Sequence, residues 1–429
     1  MDRTPRVAIV GAGPSGLFAA GLLARADADV AIDILDRLPT PFGLLRYGVA
    51  PDHASIKAVA KTLAAAFESP RVRFCGLVEV GTQVTAAELL GCYDAVVYAI
   101  GAALDRRLGI PGEDLPGSRS AREFVAWYSG HPDAVPHDLA GMSDAVVVGV
   151  GNVAVDVARI LLKDPAELSL TDMPDAVLAV LRDTDIRDVW LVGRRGPADA
   201  AFTTTELREL LGLANLSVCY ERGELPEASA GLDRRARGNL EAIAAALGRP
   251  AAGSQRRLHL LFDHRPVAIR GEGRVEAVEF ESTLDGTRFE VPAQIVLRSI
   301  GYYGVPLPGV PFQDGRIPNL EGRVWDVDGS SRPREYAVGW IKRGPTGLIG
   351  ANKSDATETV RHLLEDLAVT PDRPLGDPDA LLAAKGIRSS SLADWRRIDE
   401  AEIGRGSIRG RERTKIEEWH ELLNLVFGS

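Results

Sequence analysis

The 429-residue sequence contains only three cysteines, Cys75, Cys92 and Cys219. None stands near another, so neither a CxxC redox pair nor zinc-finger spacing is present. That removes paired-thiol chemistry from the candidates, and no metal site is expected. The three thiols are expected to be packed or half-buried. Long apolar runs are missing too. Even residues 145–160 are interrupted by Asn152 and Asp156, so no membrane span is expected. A positive excess is also absent. The net charge of −10 argues against nucleic acid or an anionic membrane as partner. The opening MDRTPRVAIV shows no cationic, apolar leader. The expectation is a cytoplasmic protein, with a matured organellar form as the alternative.

What is present is a globular composition, 45% hydrophobic and 26% charged, in a chain long enough for two or three domains. After Arg6, Val7-Ala8-Ile9-Val10 is a continuous apolar run, the mark of a parallel strand buried on both faces. Gly11-Ala12-Gly13-Pro14-Ser15-Gly16 follows, then an Ala/Leu-rich helix over 17–26 and a second strand over 30–35 that ends at Asp36. In this βαβ unit Gly11 permits the tight turn. Gly13 lets a pyrophosphate approach the backbone, and Gly16 lets the helix pack on the strand. The helix N-terminus offers free N–H groups and positive dipole. Asp36 would accept a hydrogen bond from a ribose hydroxyl and repel a 2′-phosphate, which suits FAD or NAD.

The plan recurs. A strand over 145–148 leads into Gly149-Val150-Gly151-Asn152, with Ala154 at the third glycine position and a helix over 153–162. The next strand, 189–192, comes late because residues 164–187 are inserted. It ends in Gly193-Arg194-Arg195 instead of an acid. Two guanidinium groups at that corner would grip a 2′-phosphate, so this turn is expected to take NADP(H).

Elsewhere, residues 95–101 are expected as a buried strand ending in glycine, and the Pro/Gly-rich stretch 108–117 marks a domain boundary. Residues 221–257 are polar and partly helical. Residues 258–291 alternate and carry the hairpin signal Asp285-Gly286. A short strand lies over 295–302. Glycine-rich turns occupy 340–350, a helix begins near 352–354, and a charged helical tail ends the chain.

Four segments together resemble the adrenodoxin-reductase-type ferredoxin–NADP(+) reductases. They are PFGLLRYGVAPDH at 41–53, GNVAVDVAR at 151–159, VGRRGP at 192–197 with Phe202-Thr203 and Glu206-Leu207-Arg208-Glu209, and GWIKRGPTGLIG at 339–350. The likeness covers the chain to about residue 360. It implies an α/β fold of two Rossmann-like dinucleotide-binding domains in a glutathione-reductase-like flavoprotein architecture. The NADP domain, 106–302, would be inserted into a split FAD domain made of 1–105 and 303–429. Ser15, Asp36, Leu44 and Val80 would line a non-covalent FAD, closed over by Trp340, Gly347, Leu348 and Ile349. Val150, Gly151, Asn152, Val153, Arg194, Arg195 and Glu206 would hold NADP(H), with Gly347 near the nicotinamide. His53 and Glu209 would be the polar pair beside the rings. Asp36 departs from the glutamate common there, and the tail beyond 371 carries no family motif.

The implied reaction is hydride transfer from NADPH to FAD, then single-electron transfer to a ferredoxin or similar acidic iron–sulfur protein, with a cytochrome P450 as one downstream acceptor. Arg46, Arg208, Lys342 and Arg343 would provide a basic docking face. A flavin monooxygenase and a non-enzymatic redox sensor stand as alternatives. A glutamate synthase small subunit is disfavoured, since its cysteine clusters are absent.

Overall fold

The structure, a computed structural model, describes residues 3–26, 28–229, 231–249, 255–347, 349–370 and 373–428. Two large sheets organise it. In the first, four parallel strands run in the order Ala95–Tyr98, Arg6–Val10, Ala31–Leu35 and Val72–Cys75. Beyond Ala95–Tyr98 lies Ser331–Ala337, a parallel strand from the far end of the sequence. Arg323–Trp325 and Asn319–Leu320 extend that edge antiparallel. The first sheet is therefore built from both ends of the chain.

Strand alternation gives it two cores. Val7, Ile9, Ile32 and Ile34 face the helices Pro14–Arg25 and Ile349–Val369. Ala8, Val10, Leu35, Val96 and Tyr98 face the other way, against Val78, Leu89 and Ile341.

The second sheet is wholly parallel, in the order Ser118–Ser120, Ile295–Arg298, Asp144–Val148, Asp188–Val192, Arg256–Leu261, Leu216–Tyr220. One face packs on helices through Ala145, Val147, Leu191 and Leu260. The other packs Val146, Val148, Val192 and Leu261 against a three-stranded antiparallel sheet, His264–Arg270, Ala277–Ser282 and Arg288–Pro292. The expected Asp285-Gly286 hairpin joins the last two of these strands, with Gly286 at φ +74°. Leu104–Asp105 and Tyr302–Tyr303 pair antiparallel, so the two crossings between the sheets run side by side.

Several elements differ from expectation at their ends. The first helix starts at Pro14, earlier than expected, because proline's fixed φ and missing N–H suit a first helical position. The inserted residues fold as helices Pro165–Leu168 and Asp175–Arg182, and the polar stretch contains helix Arg234–Leu247. The late helix starts at Ile349. The tail is three helices, Pro378–Ala384, Leu392–Ser407 and Trp419–Phe427. Among the described residues no helix is long and apolar enough to cross a membrane.

Candidate functional site

The two glycine turns are built alike. Gly11 has φ +110°, and a Cβ there would lie 2.5 Å from the carbonyl oxygen of Ala99. Gly149 has φ +134°, and its Cβ would lie 2.1 Å from Ser299 O. The middle glycines, Gly13 and Gly151, face open space instead, with nothing within 4 Å of a Cβ. They N-cap the helices Pro14–Arg25 and Asn152–Leu162, and neither helix has a side-chain cap or an acid in its first turn. Several other helices carry side-chain caps, among them Thr85 with Glu88, Ser120 with Glu123, and Thr203. Two uncapped N-termini beside open glycines leave N–H groups free for an anion, which fits a pyrophosphate at each turn.

The corners beyond the turns differ. Asp36 accepts from Ala12 N at 2.8 Å and from Leu38 N at 2.9 Å. Burial raises its pKa against those hydrogen bonds. One lone pair on each oxygen remains for a ribose hydroxyl. At the second corner Arg194 and Arg195 are exposed. Arg195 lies 3.7 Å from Asp199, and Arg194 has no side-chain partner among the described residues. Asn152 turns inward, its Oδ1 accepting from Thr203 N at 2.8 Å. Val150 packs on the core while its carbonyl accepts from Ala201 and Phe202, and Val153 packs beside it.

The C-terminal segment returns to the first turn. Gly339, at φ +79°, passes so close to Ser15 that a Cβ would lie 2.2 Å from its Oγ. Trp340 stacks on Tyr302 of the crossing pair at 6.1 Å. Gly347 is exposed with φ +83°. Ile349 opens the following helix, and Leu348 lies outside the described residues. Leu44 begins the short helix Leu44–Tyr47 and is 45% exposed, while Val80 packs half-buried on the second core.

Between the turns lies a buried polar cluster. His53 is 5% exposed. Its Nε2 is 2.9 Å from Asp156 Oδ1 and 2.9 Å from Glu206 Oε2, and its Nδ1 is 3.3 Å from Glu209. Arg159, 1% exposed, binds Asp52 through two nitrogens at 3.0 and 2.8 Å and also contacts Asp156. Lys163 reaches Asp52 at 2.9 Å. Asp156 and Arg159 stand three apart on one face of the helix after the second turn, and Lys163 is its C-cap. Glu206 and Glu209 stand three apart on Thr204–Leu211. Burial, and Arg159 with its Nη2 2.7 Å from Nε2, work against a charged His53, but the adjacent Asp156 and Glu206 carboxylates win, and its pKa is raised to about 9. Half-exposed Glu209 joins this otherwise buried cluster to solvent. One helix therefore presents its N-terminus to the second turn and its polar stripe to the loop that carries Asp52 and His53.

Two docking expectations fail. Arg46 is buried in an ion pair with Glu402, whose Oε2 lies 3.0 Å from Nη1. Lys342 is buried among Asp355 at 3.0 Å, Glu358 and Thr359. A cationic residue type says nothing of which face it occupies, and here acids from later helices claim both. Arg343 is half-buried against Asn352, and Arg208 alone of the four is exposed. Sequence reasoning also missed Asp52, Asp156, Arg159 and Lys163. All but Lys163 lie within the quoted motifs, so their charge inside apolar helix or loop segments was the available signal.

The tail, silent in sequence, ties both sheets together. Lys415 donates to Arg46 O at 2.7 Å and to Ser129 O at 3.0 Å, and lies 3.2 Å from Asp172. Burial pushes its pKa down to about 7.

With this geometry in place, similarity to known proteins is informative. The family model described as pyridine nucleotide-disulphide oxidoreductase matches residues 5–189. The NADPH-ferredoxin reductase FprA of Mycobacterium tuberculosis is 45% identical over 98% of this chain and 99% of its own. The human mitochondrial NADPH:adrenodoxin oxidoreductase is 39% identical over 99% of this chain and 92% of its own. The chain belongs to the adrenodoxin-reductase-type ferredoxin–NADP(+) reductases. The solved structure of M. tuberculosis FprA in complex with NADPH superposes with a TM-score of 0.92 at 44% identity, covering 99% of this chain and 100% of that one. A Lactococcus lactis thioredoxin reductase, at 15% identity and a TM-score of 0.52, shares the fold alone. Unlike a disulphide reductase, this family member has three unpaired cysteines, Cys75 and Cys92 buried and Cys219 half-buried.

Proposed function

We propose that the protein is an FAD-dependent NADPH:ferredoxin oxidoreductase. The observation that carries this reading is the convergence of three features. One turn ends its second strand in Asp36, the other in Arg194-Arg195. The C-terminal return at Gly339 and Trp340 closes on the first turn and on Tyr302. Bound FAD supplies the chemistry that splits a hydride pair from NADPH into single electrons for an iron–sulfur carrier.

The residues of the chain bind and orient. Gly11, Gly13, Ser15, Gly16 and Asp36 hold the flavin nucleotide, with Leu44, Val80, Trp340, Gly347, Leu348 and Ile349 around it. Val150, Gly151, Asn152, Val153, Arg194, Arg195 and Glu206 hold NADP(H). His53 and Glu209 hold a proton where the two sites meet, with His53 buried and Glu209 opening the pair to solvent. We assign 1–105 and 303–429 to the flavin domain and 106–302 to the NADP domain, with the paired crossings Leu104–Asp105 and Tyr302–Tyr303 as its natural limits. The partner is an acidic ferredoxin-type protein, with a cytochrome P450 as one downstream acceptor, in the cytoplasm.

Anaerobic titration of the purified protein tests this. NADPH should bleach the flavin absorption, and a ferredoxin should restore it while becoming reduced. Oxygen consumption tied to a hydroxylated organic product would instead mark a monooxygenase, and flavin without NADPH turnover a sensor. Arg208→Glu should slow ferredoxin reduction and spare ferricyanide reduction. Equal loss in both assays removes Arg208 from docking.

A further inference from the structure

The second sheet carries a half-buried polar row on the strands that follow Asp144–Val148 towards one edge. Asp188–Val192, Arg256–Leu261 and Leu216–Tyr220 are neighbours in parallel register, so Trp190, His259 and Cys219 form one row across it. All three are half-buried. Glu221 follows Cys219 by two residues, and strand alternation puts both on one side. The Glu221 N–H donates to Leu260 O at 2.9 Å, which keeps that residue in the ladder. The thiol of Cys219, a carboxylate oxygen of Glu221 and a ring nitrogen of His259 all lie within 4.8 Å of one another.

The histidine is held from two further sides. Its ring lies flat on Trp190, 4.2 Å away and tilted 10°. Its Nε2 is 2.8 Å from Asp188 Oδ1, and Asp188 is in turn gripped by Arg257. A carboxylate on one imidazole nitrogen is the arrangement that orients metal-binding histidines. It leaves Nδ1 pointing at Glu221, 2.7 Å away.

We propose that Cys219, Glu221 and His259 form a site for a borderline-soft divalent cation, zinc or cadmium, with water as fourth ligand. Thiolate, imidazole and carboxylate are the donors such an ion selects. A tetrahedral ion with bonds of about 2.0–2.3 Å keeps its ligand atoms roughly 3.3–3.8 Å apart, a spacing reached by small side-chain rotations here. On binding, the Cys219 thiol proton and the proton between His259 and Glu221 pass to solvent. The ion would cross-link two adjacent strands. The ligands sit two and three strands across the sheet from the strand that enters the second glycine turn, and the site does not depend on the proposed activity.

The test is titration of the flavin-loaded protein with Zn²⁺ against a chromophoric chelator, and with Cd²⁺ while recording the ultraviolet thiolate-to-cadmium absorption. One zinc per chain and a cadmium–thiolate band are expected. Cys219→Ser, nearly isosteric, should abolish the band and weaken zinc about 100-fold. Asp188→Asn should weaken it roughly 10–100-fold. His53→Gln should bind as the parent does, which separates this site from the second trio, His53, Glu206 and Glu209, that also lies within 4.8 Å. No stoichiometric zinc, zinc unaffected by Cys219→Ser, or zinc lost in His53→Gln would each overturn the proposal. If Asp188→Asn fails to fold, Cys219→Ser alone decides.

Discussion

The two glycine turns use one backbone device to opposite ends. In both, the first glycine is forced by a carbonyl of the next strand over, Ala99 at Gly11 and Ser299 at Gly149. In both, the middle glycine opens on empty space. They part at the third position. A Cβ on Gly16 would lie 2.1 Å from Gly11 O, so that helix sits too close for any side chain, whereas the second turn accepts Ala154. They part again at the corner. Asp36 is already bonded to the backbone of its own turn, while the arginine pair stands exposed and nearly unengaged. Under the proposed assignment, backbone reads the common part of a dinucleotide and the exposed side chains read the distinguishing phosphate.

That comparison can be broken. The largest effect is expected from a side chain forced onto the first glycines. Gly11→Val should yield protein without flavin, and Gly149→Val protein that keeps its flavin but is no longer reduced by NADPH. Absorption spectra distinguish them, and loss of flavin from both would mean the two units do not stand apart. Next comes the tail, which belongs to the first unit but clamps the second. Glu402→Ala strands the buried Arg46 and should cost about 3–5 kcal/mol in thermal or denaturant unfolding. An unchanged midpoint would show the pair to be idle.

A smaller effect is expected at the second corner. Arg194→Ala with Arg195→Ala should cut the preference for NADPH over NADH in kcat/KM about 100-fold, as two charge-assisted contacts are lost. No change in that ratio removes the arginines from phosphate recognition. The smallest concerns the junction of the units. His53 has its folded pKa raised to about 9, above the ordinary 6.5. Its stabilising contribution is therefore complete below about pH 6.5 and fades as pH climbs through 9. The melting temperature should fall more between pH 7 and 10 in the parent than in His53→Gln. Parallel curves would show that the histidine does not titrate there.

Much of this was legible in sequence because it is local. A buried strand, a glycine turn and a helix lie within about 20 residues of each other, and backbone sterics dictate their order. Asp36 was found for the same reason, whereas Arg194 and Arg195 lie beyond the 164–187 insertion and were found through the strand that ends at them. The polar cluster was only half legible. His53 and Glu209 came with the motifs, but Asp52, Asp156, Arg159 and Lys163 gained a meaning only when the two units met. Arg46 and Lys342 looked like surface cations and are buried, because the acids that claim them lie far along the chain or on a later helix.

The sequence by itself determined two glycine turns of dinucleotide-binding form and a family. Tertiary structure decided the rest. It placed Ser331–Ala337 beside Ala95–Tyr98, so that one sheet is made from both ends of the chain. It pressed Gly339 onto Ser15 and laid the tail across both units. Strand pairing and charge pairing at such separations depend on which surfaces are left to bury once the local units have formed, and no short stretch of sequence holds that information.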